Sequence, residues 1–122
     1  MTETNAPALA RSVLVTGAST GIGRAAAHHF AAKGWTVFAG VRSDKDAAAL
    51  AEGASGDLRP LILDVTRQDQ VDTAIAAIGA ALGKRRLTGL VNNAGIAKMG
   101  PLGLQPLKDF DAHFAVNVFG ML

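Results

Sequence analysis

The sequence predicts an α/β fold in which one parallel sheet carries helices on both of its faces. Short β-branched runs alternate with amphipathic segments four times along the 122-residue chain, and glycines stand where the helices would end. No repeat or linker interrupts this alternation. Because strand–helix–strand units form right-handed crossovers between parallel strands, we expect a single domain built on one sheet.

The first half of the chain contains two strand–helix units. Residues 12–16 (SVLVT) form a short β-branched run typical of a buried strand. Residues 22–33 follow with an apolar helical stripe, and Gly34 stands just past its end, as helix-terminating glycines do. Residues 36–41 are predicted to form the second strand, and the alanine-rich residues 44–52 the second helix.

The second half repeats the pattern. Residues 58–65 are predicted to form a third strand, and Thr66 is predicted to cap the next helix through a Thr-x-x-Asp start. Gly83 ends that helix, and residues 87–93 form the fourth strand. The last helix is expected to run from about residue 107 to the end of the chain.

Composition excludes several classes of function. Hydrophobic residues make up 49% and charged residues 18%, which is typical of a globular protein. The absence of cysteine excludes disulfides and thiolate metal sites and fits a reducing, cytoplasmic environment. The net charge of +2 is too small to indicate a nucleic-acid partner, and the histidines lack the companions of a metal site.

The first eleven residues and the apolar runs of the chain predict neither a signal peptide nor a membrane span. No apolar run approaches the roughly 18 residues of a membrane span. Residues 1–11 lack the basic head and apolar segment of a signal peptide, so we expect a flexible leader there.

A glycine-rich segment, TGASTGIG at residues 16–23, joins the first strand to the first helix. Free N–H groups at a helix start converge on one point and attract anions. Gly17 would take the tight turn, Gly21 would let backbone approach a phosphate, and Gly23 would let the helix lie close to the sheet. The spacing differs from the phosphate loop of nucleotide triphosphatases. The alternative is that the glycines serve only a tight connection.

Four ordered motifs make the chain recognisable: TGASTGIG, Asp64-Val65, Asn92-Asn93-Ala94-Gly95 and Asn117. Together they resemble the classical short-chain dehydrogenases/reductases (the SDR family), over essentially the whole chain from Ser12 onward. The resemblance implies a Rossmann-type sheet of about four strands in the order 3-2-1-4, with residues 12–122 as the N-terminal dinucleotide-binding part of one domain. It also implies an oxidoreductase that transfers a hydride between a nicotinamide cofactor and an alcohol or carbonyl substrate.

The resemblance assigns cofactor-binding residues to the ends of all four strands. Asp64 would accept from the adenine amino group, although it could instead be a helix cap, and the Val65 N–H would meet the ring. Asn93 is interpreted as either a turn residue or a direct contact. The predicted cofactor-binding residues are Gly17, Ser19, Thr20, Gly21, Ile22, Gly23, Arg42, Asp64, Val65, Asn92, Ala94 and Gly95.

The end of the second strand favours NADP(H) as the cofactor, with NAD(H) possible. An acidic residue there would hold the ribose 2′-hydroxyl and repel a 2′-phosphate, but Val41 occupies that position and Arg42 follows it. Ser19 and Thr20 are neutral, so the loop adds no basic residue. The alternative is that Arg42 is only solvated.

The catalytic part of the family pattern is incomplete in this chain. The resemblance implies that Asn117 holds a water in a proton relay behind a catalytic lysine, unless it is merely exposed on the last helix. The chain contains no tyrosine, so the Tyr-x-x-x-Lys pair of the family is absent from it.

The last helix is apolar on nearly every side, which indicates that other structure covers it. We therefore expect a fragment truncated in this helix, lacking the Ser-Tyr-Lys catalytic half and inactive alone, from a full-length homo-oligomer. The alternative is a non-catalytic dinucleotide-binding or sensor module, or a partner subunit.

Overall fold

Four parallel strands form the sheet of the computed structural model, which describes residues 10–122. The strands are β1 (Ser12–Val15), β2 (Thr36–Val41), β3 (Leu58–Ile62) and β4 (Gly89–Val91). They pair in the order β3-β2-β1-β4, which confirms the predicted fold and strand order. The leader predicted at residues 1–11 lies, as far as residue 9, outside the described residues.

Four helices connect or follow these strands. They are α1 (Gly21–Ala32), α2 (Asp44–Ala51), α3 (Gln68–Leu82) and α4 (Leu107–Asn117), with single 3₁₀ turns at Leu102–Leu104 and Phe119–Met121. Gly34 follows α1 with φ of +92° and Gly53 follows α2 with φ of +72°, so both take the left-handed conformation that glycine favours at a helix end.

The hydrophobic core lies on both faces of the sheet because side chains of a strand alternate between faces. Val37, Ala39 and Val41 of β2 face α1 and α2, whereas Phe38 faces α3 and contacts the cluster containing Ile78. Full burial of each Val or Phe side chain contributes about 1.5–3 kcal/mol. Strand β2 is therefore the centre of the core, and its carboxyl end is held rigidly.

The start of α3 differs from the prediction. The Thr66 hydroxyl does not cap the helix; it donates to Asp64 Oδ1 at 2.6 Å, and α3 begins only at Gln68 after Arg67. The turn that contains this bond ends β3 at Ile62 instead of residue 65. The prediction of Thr66 as a cap was wrong because the helix begins later, with Arg67 in the N-cap position, and the Thr66 hydroxyl instead donates to the carboxylate two residues before it.

Two further boundaries are shorter than predicted. Strand β4 covers only Gly89–Val91 instead of residues 87–93, since only these residues pair in register with β1. Helix α4 ends at Asn117, and the chain tightens into a 3₁₀ turn instead of continuing as an α-helix.

Helix α4 and strand β4 leave apolar surface uncovered. None of the residues of α4 is buried, and Phe114 and Phe119 are 56% and 64% exposed. Within residues 10–122, β4 pairs with β1 alone. Over the same residues, no helix combines the length and the apolar character that crossing a membrane requires.

Candidate functional site

An open cleft of 310 Å³ lies at the carboxyl ends of the strands. This volume is at the lower end of the roughly 300–1,000 Å³ of ligand pockets. The structure brings most of the predicted site residues together at this cleft. Those that line it are Gly17, Ser19, Thr20, Gly21, Ile22, Arg42, Asp64, Val65, Ala94 and Gly95.

The glycine-rich loop forms one wall of the cleft, and the N-terminus of α1 lies at this wall. Gly17 and Gly21 have φ of +63° and +59°, conformations that side-chain-bearing residues rarely adopt. A Cβ at Gly17 would lie 2.8 Å from Ala94 Cα, so this turn also needs the absence of a side chain. Thr20 is the N-cap of α1, and its side chain makes no cap hydrogen bond in the described structure. The first N–H groups of the helix are therefore available to an anion.

Asn93, two residues after the end of strand β4, fixes the loop in place. Its Nδ2 donates to Gly17 O at 2.9 Å and to Thr16 O at 3.2 Å. The Thr16 hydroxyl accepts from the N–H groups of Asn93 and Ala94, each at 3.0 Å. Gly23 is buried beneath this junction, where a Cβ would collide with Asn93 Nδ2 and Gly17 O. Asn93 thus holds the turn together and also lines the cleft.

The second wall carries the charged groups. Arg42 follows β2, is exposed and makes no ion pair with any residue in the described part of the chain. Asp64 lies after the neighbouring strand β3, with Oδ1 accepting from the Thr66 N–H and hydroxyl. The Thr66 hydroxyl bond lowers the pKa of Asp64, burial opposes it, and the Arg42 charge adds a smaller lowering. A guanidinium and an ionised carboxylate therefore share this end of the cleft.

Two predicted residues lie outside the cleft lining besides Gly23. Asn92 is exposed at the end of β4. Asn117, at the end of α4, exchanges two hydrogen bonds with Ile96: its Oδ1 accepts from Ile96 N and its Nδ2 donates to Ile96 O, both at 2.9 Å. Since Ile96 lines the cleft, Asn117 reaches the site through that residue.

Sequence reasoning missed several lining residues, because they have no polar group to single them out. Gly40 and Leu63 belong to the ends of β2 and β3, and their adjacency to predicted residues was the available signal. Gly40 O accepts from Ala18 N at 2.8 Å, which ties the loop to β2. Ile96 and Val116 enter the lining from the β4–α4 connection and from α4, and no local pattern marks them.

Taken together, the cleft offers a row of backbone N–H groups at one wall and a cation beside a carboxylate at the other. The N–H groups suit a phosphate or diphosphate, and the guanidinium suits a further phosphate. The position at the carboxyl edge of a parallel sheet is where open α/β sheets bind ligands.

Comparison with known proteins gives a consistent result. A family model described as short chain dehydrogenase matches residues 11–122. The chain is 41% identical over 109 residues to an NADPH-dependent 3-dehydrocapnine reductase from Ornithobacterium rhinotracheale, covering 89% of this chain and 38% of that protein. It is 39% identical over 111 residues to the 3-oxoacyl-[acyl-carrier-protein] reductase of Thermotoga maritima, covering 88% of this chain and 44% of that protein.

Solved structures agree with these matches. A 3-ketoacyl-(acyl-carrier-protein) reductase from Brucella melitensis, complexed with NADH, superposes with a TM-score of 0.82 at 31% identity, covering 91% of this chain and 45% of that one. A 3-ketoacyl-ACP reductase from Sinorhizobium meliloti 1021 gives a TM-score of 0.80 at 34% identity, with 90% and 44% covered. The chain thus spans less than half the length of these relatives.

Proposed function

The chain belongs to the short-chain dehydrogenase family, and we propose that it forms the dinucleotide-binding part of an NADP(H)-dependent oxidoreductase. The proposed reaction moves a hydride between the cofactor and an alcohol or carbonyl substrate. The observation that carries this proposal is the opening of the α1 N-terminus onto the cleft through Gly17 and Gly21. The similar proteins named above are reductases, which supports the reaction class.

The glycine-rich wall would hold the cofactor diphosphate. The N–H groups of residues 19–23 are oriented by the start of α1, and the helix dipole adds a partial positive charge there. Asn93 keeps the turn in this conformation before a ligand arrives, so little ordering cost accompanies binding. The nicotinamide supplies or accepts the hydride when the cofactor is bound.

The second wall would hold the adenosine end. Arg42 has no competing ion pair in the described residues and would bind the 2′-phosphate of NADP(H). Asp64 would accept from the adenine amino group through its carboxylate, with the Val65 N–H at the ring. Ala94 and Gly95 would line the path toward the nicotinamide, with Asn92 beside them outside the lining.

The proton-transfer residues are proposed to lie outside these 122 residues. The chain has no tyrosine to act as general acid. Asn117 is proposed to serve the proton relay by holding a water, and two hydrogen bonds to the Ile96 backbone fix its side chain. We also propose that the complete enzyme is a homo-oligomer and that its substrate is a small carbonyl compound or alcohol.

The second candidate is a non-catalytic dinucleotide-binding module, favoured by the same lack of tyrosine. Steady-state assays separate the two candidates. The complete protein should oxidise NADPH in the presence of carbonyl compounds, whereas the 122-residue chain alone should not. Turnover by the isolated chain would contradict the proposed location of the proton donor, and a complete protein that binds NADPH without turnover would favour the binding module.

A pair of Thr20 variants tests the diphosphate site. Aspartate is a favoured N-cap, so Thr20→Asp should retain or increase the stability of α1 while its carboxylate repels a diphosphate. We expect NADPH affinity, measured by calorimetry, to fall by at least about ten-fold, from one added like charge at short range. Thr20→Asn is the matched control, since it caps the helix without the charge. Equal NADPH affinity in the two variants would contradict the proposed site.

A further inference from the structure

The last glycine of the chain, Gly120, lies against the cleft wall. It stands in the 3₁₀ turn Phe119–Met121, and a Cβ built on it would be 2.6 Å from Val65 Cγ2 and 3.2 Å from Ala115 O. Real Cβ atoms essentially never show a contact of 2.6 Å to a carbon that cannot move away. Gly120 is not among the glycines with positive φ, so its backbone conformation does not require glycine. Glycine is needed here for space.

Val65 has little freedom to retreat from an added methyl group. The residue before it is fixed at both backbone groups: Asp64 N donates to Gln70 Oε1 at 2.7 Å, and Asp64 O accepts from Arg67 N at 2.9 Å. The residue after it, Thr66, is bound to the Asp64 carboxylate. Val65 is β-branched and therefore stiff about χ1. A rotation or displacement of this side chain would move a methyl group into the cleft that it lines.

We propose that Gly120 is a positioning residue that sets where Val65 stands and thereby keeps the adenosine end of the cleft open. The proposal rests on the proposed function, in which Val65 borders the adenine ring. The 3₁₀ turn after α4 thus affects the cofactor site indirectly, because the absence of a side chain at Gly120 leaves room for Val65. Gly95 and Ile96, which line the proposed nicotinamide end on the β4 side, are not among the nearest neighbours of a Cβ at Gly120.

The test compares Gly120→Ala with the unaltered complete protein, using two fragments of the cofactor. ADP carries the adenosine and diphosphate common to NADP(H) and NAD(H), and nicotinamide mononucleotide carries the other half. We expect Gly120→Ala to weaken ADP binding by about ten-fold, the scale of an overpacked contact, with nicotinamide mononucleotide binding unchanged. Gly79→Ala is the matched control, because Gly79 is exposed in α3 and a Cβ there meets nothing within 4 Å.

A double variant separates positioning from general damage. Val65→Ala removes the methyl group that Gly120→Ala would strike, so on this background Gly120→Ala should cost less than about three-fold in ADP affinity. An equal cost on both backgrounds, equal losses for both fragments, or no loss at all would overturn the proposal. If Gly120→Ala alone does not fold, the ADP affinity of the double variant is compared with that of Val65→Ala. A difference of less than about three-fold then supports the proposal, and a larger one contradicts it.

The same measurements distinguish failure of this inference from failure of the proposed function. If the unaltered complete protein binds neither NADPH nor ADP, the proposed function itself is contradicted. Binding of both by the unaltered protein, without a selective effect at Gly120, would remove only this inference.

Discussion

Two charged residues at the carboxyl ends of β2 and β3 give the cleft its polarity. Arg42 extends from the end of β2 without an ion-pair partner among the described residues, and Asp64 keeps its charge through bonds from Thr66. Because the two residues differ in sign and share one end of the cleft, that end can bind a phosphate and an amino group at once.

The Arg42 guanidinium is expected to determine the cofactor preference. Arg42→Asp removes the group that would bind a 2′-phosphate and adds a charge that repels it, so the ratio of NADPH to NADH affinity should fall by about 10- to 150-fold. Calorimetric titration of both cofactors against the complete protein measures this ratio. Lys45→Asp makes the same change of charge nearby but outside the lining and should leave the ratio unchanged. An unchanged ratio in Arg42→Asp would remove the assignment.

The Thr66 hydroxyl is expected to make stability depend on pH through Asp64. The pKa of Asp64 is lower in the folded chain than its usual value, so the bond stabilises the fold above the unfolded pKa of about 3.9 and this contribution is lost as pH falls through the folded pKa. Thr66→Val should therefore raise the pKa of Asp64. It should also lower the free energy of unfolding at neutral pH by about 1 kcal/mol, an effect that shrinks in acid.

Carboxyl titration by NMR and urea unfolding at several pH values measure these two quantities. Thr66→Ser keeps the hydroxyl and should behave like the unaltered chain. A pKa of Asp64 that is the same in Thr66→Val and Thr66→Ser would show that the hydroxyl bond does not control this carboxylate.

At the scale of elements, the connection after β4 depends on α4 for its shape. The paired bonds between Asn117 and Ile96 hold it at one point, and a bond from Lys98 N to His113 Nε2 at 2.7 Å holds it at another. The lining residues Gly95 and Ile96 are thus positioned by a helix that begins more than ten residues later. Apart from Val116 of α4, this connection forms the part of the cleft farthest from the glycine-rich loop in sequence.

Asn117→Asp tests how much the two hydrogen bonds between Asn117 and Ile96 stabilise the connection after β4. The variant keeps an acceptor for Ile96 N, but it loses the donor to Ile96 O and sets a negative charge against that carbonyl oxygen. We expect a loss of about 1–3 kcal/mol in the free energy of unfolding, measured with urea, together with weaker NADPH binding. Asn92→Asp makes the same chemical change at an exposed side chain and is the control for the free energy of unfolding. Equal stability of the two variants would indicate that the tie contributes little.

The limits of sequence reasoning also appear at this scale. Periodicity located every strand and helix, because the 2.0 and 3.6 repeats are local properties of the chain. It placed the ends of β3, β4 and α4 wrongly. Those ends depend on the Asp64–Thr66 turn, on pairing with β1, and on contacts of the residues that end α4 with the backbone of Ile96 and the side chain of Val65. Val116 and Ile96 were missed for the same reason: their place in the cleft is a tertiary contact between apolar residues.

At the scale of the whole molecule, the right-handed crossover rule and the alternation of elements were enough to predict the fold class. With β1 and β4 adjacent, the loop after β1 and the connection after β4 meet, and Asn93 joins them. The glycine-rich loop, Arg42 and Asp64 reach the same cleft because all parallel strands end at one edge of the sheet. This convergence explains why sequence motifs that are dispersed along the chain supply most of the residues that line one cleft.

The central claim is that the N–H groups at the start of α1 bind a dinucleotide diphosphate. The most direct measurement is an NMR titration of the ¹⁵N-labelled complete protein with NADPH, following backbone amide shifts. We expect the largest shifts at residues 19–23 and a second group at Arg42 and Val65, with the amide signals of the outer face of α3 unchanged. Saturation with NADPH that leaves the amides of residues 19–23 unshifted would contradict it.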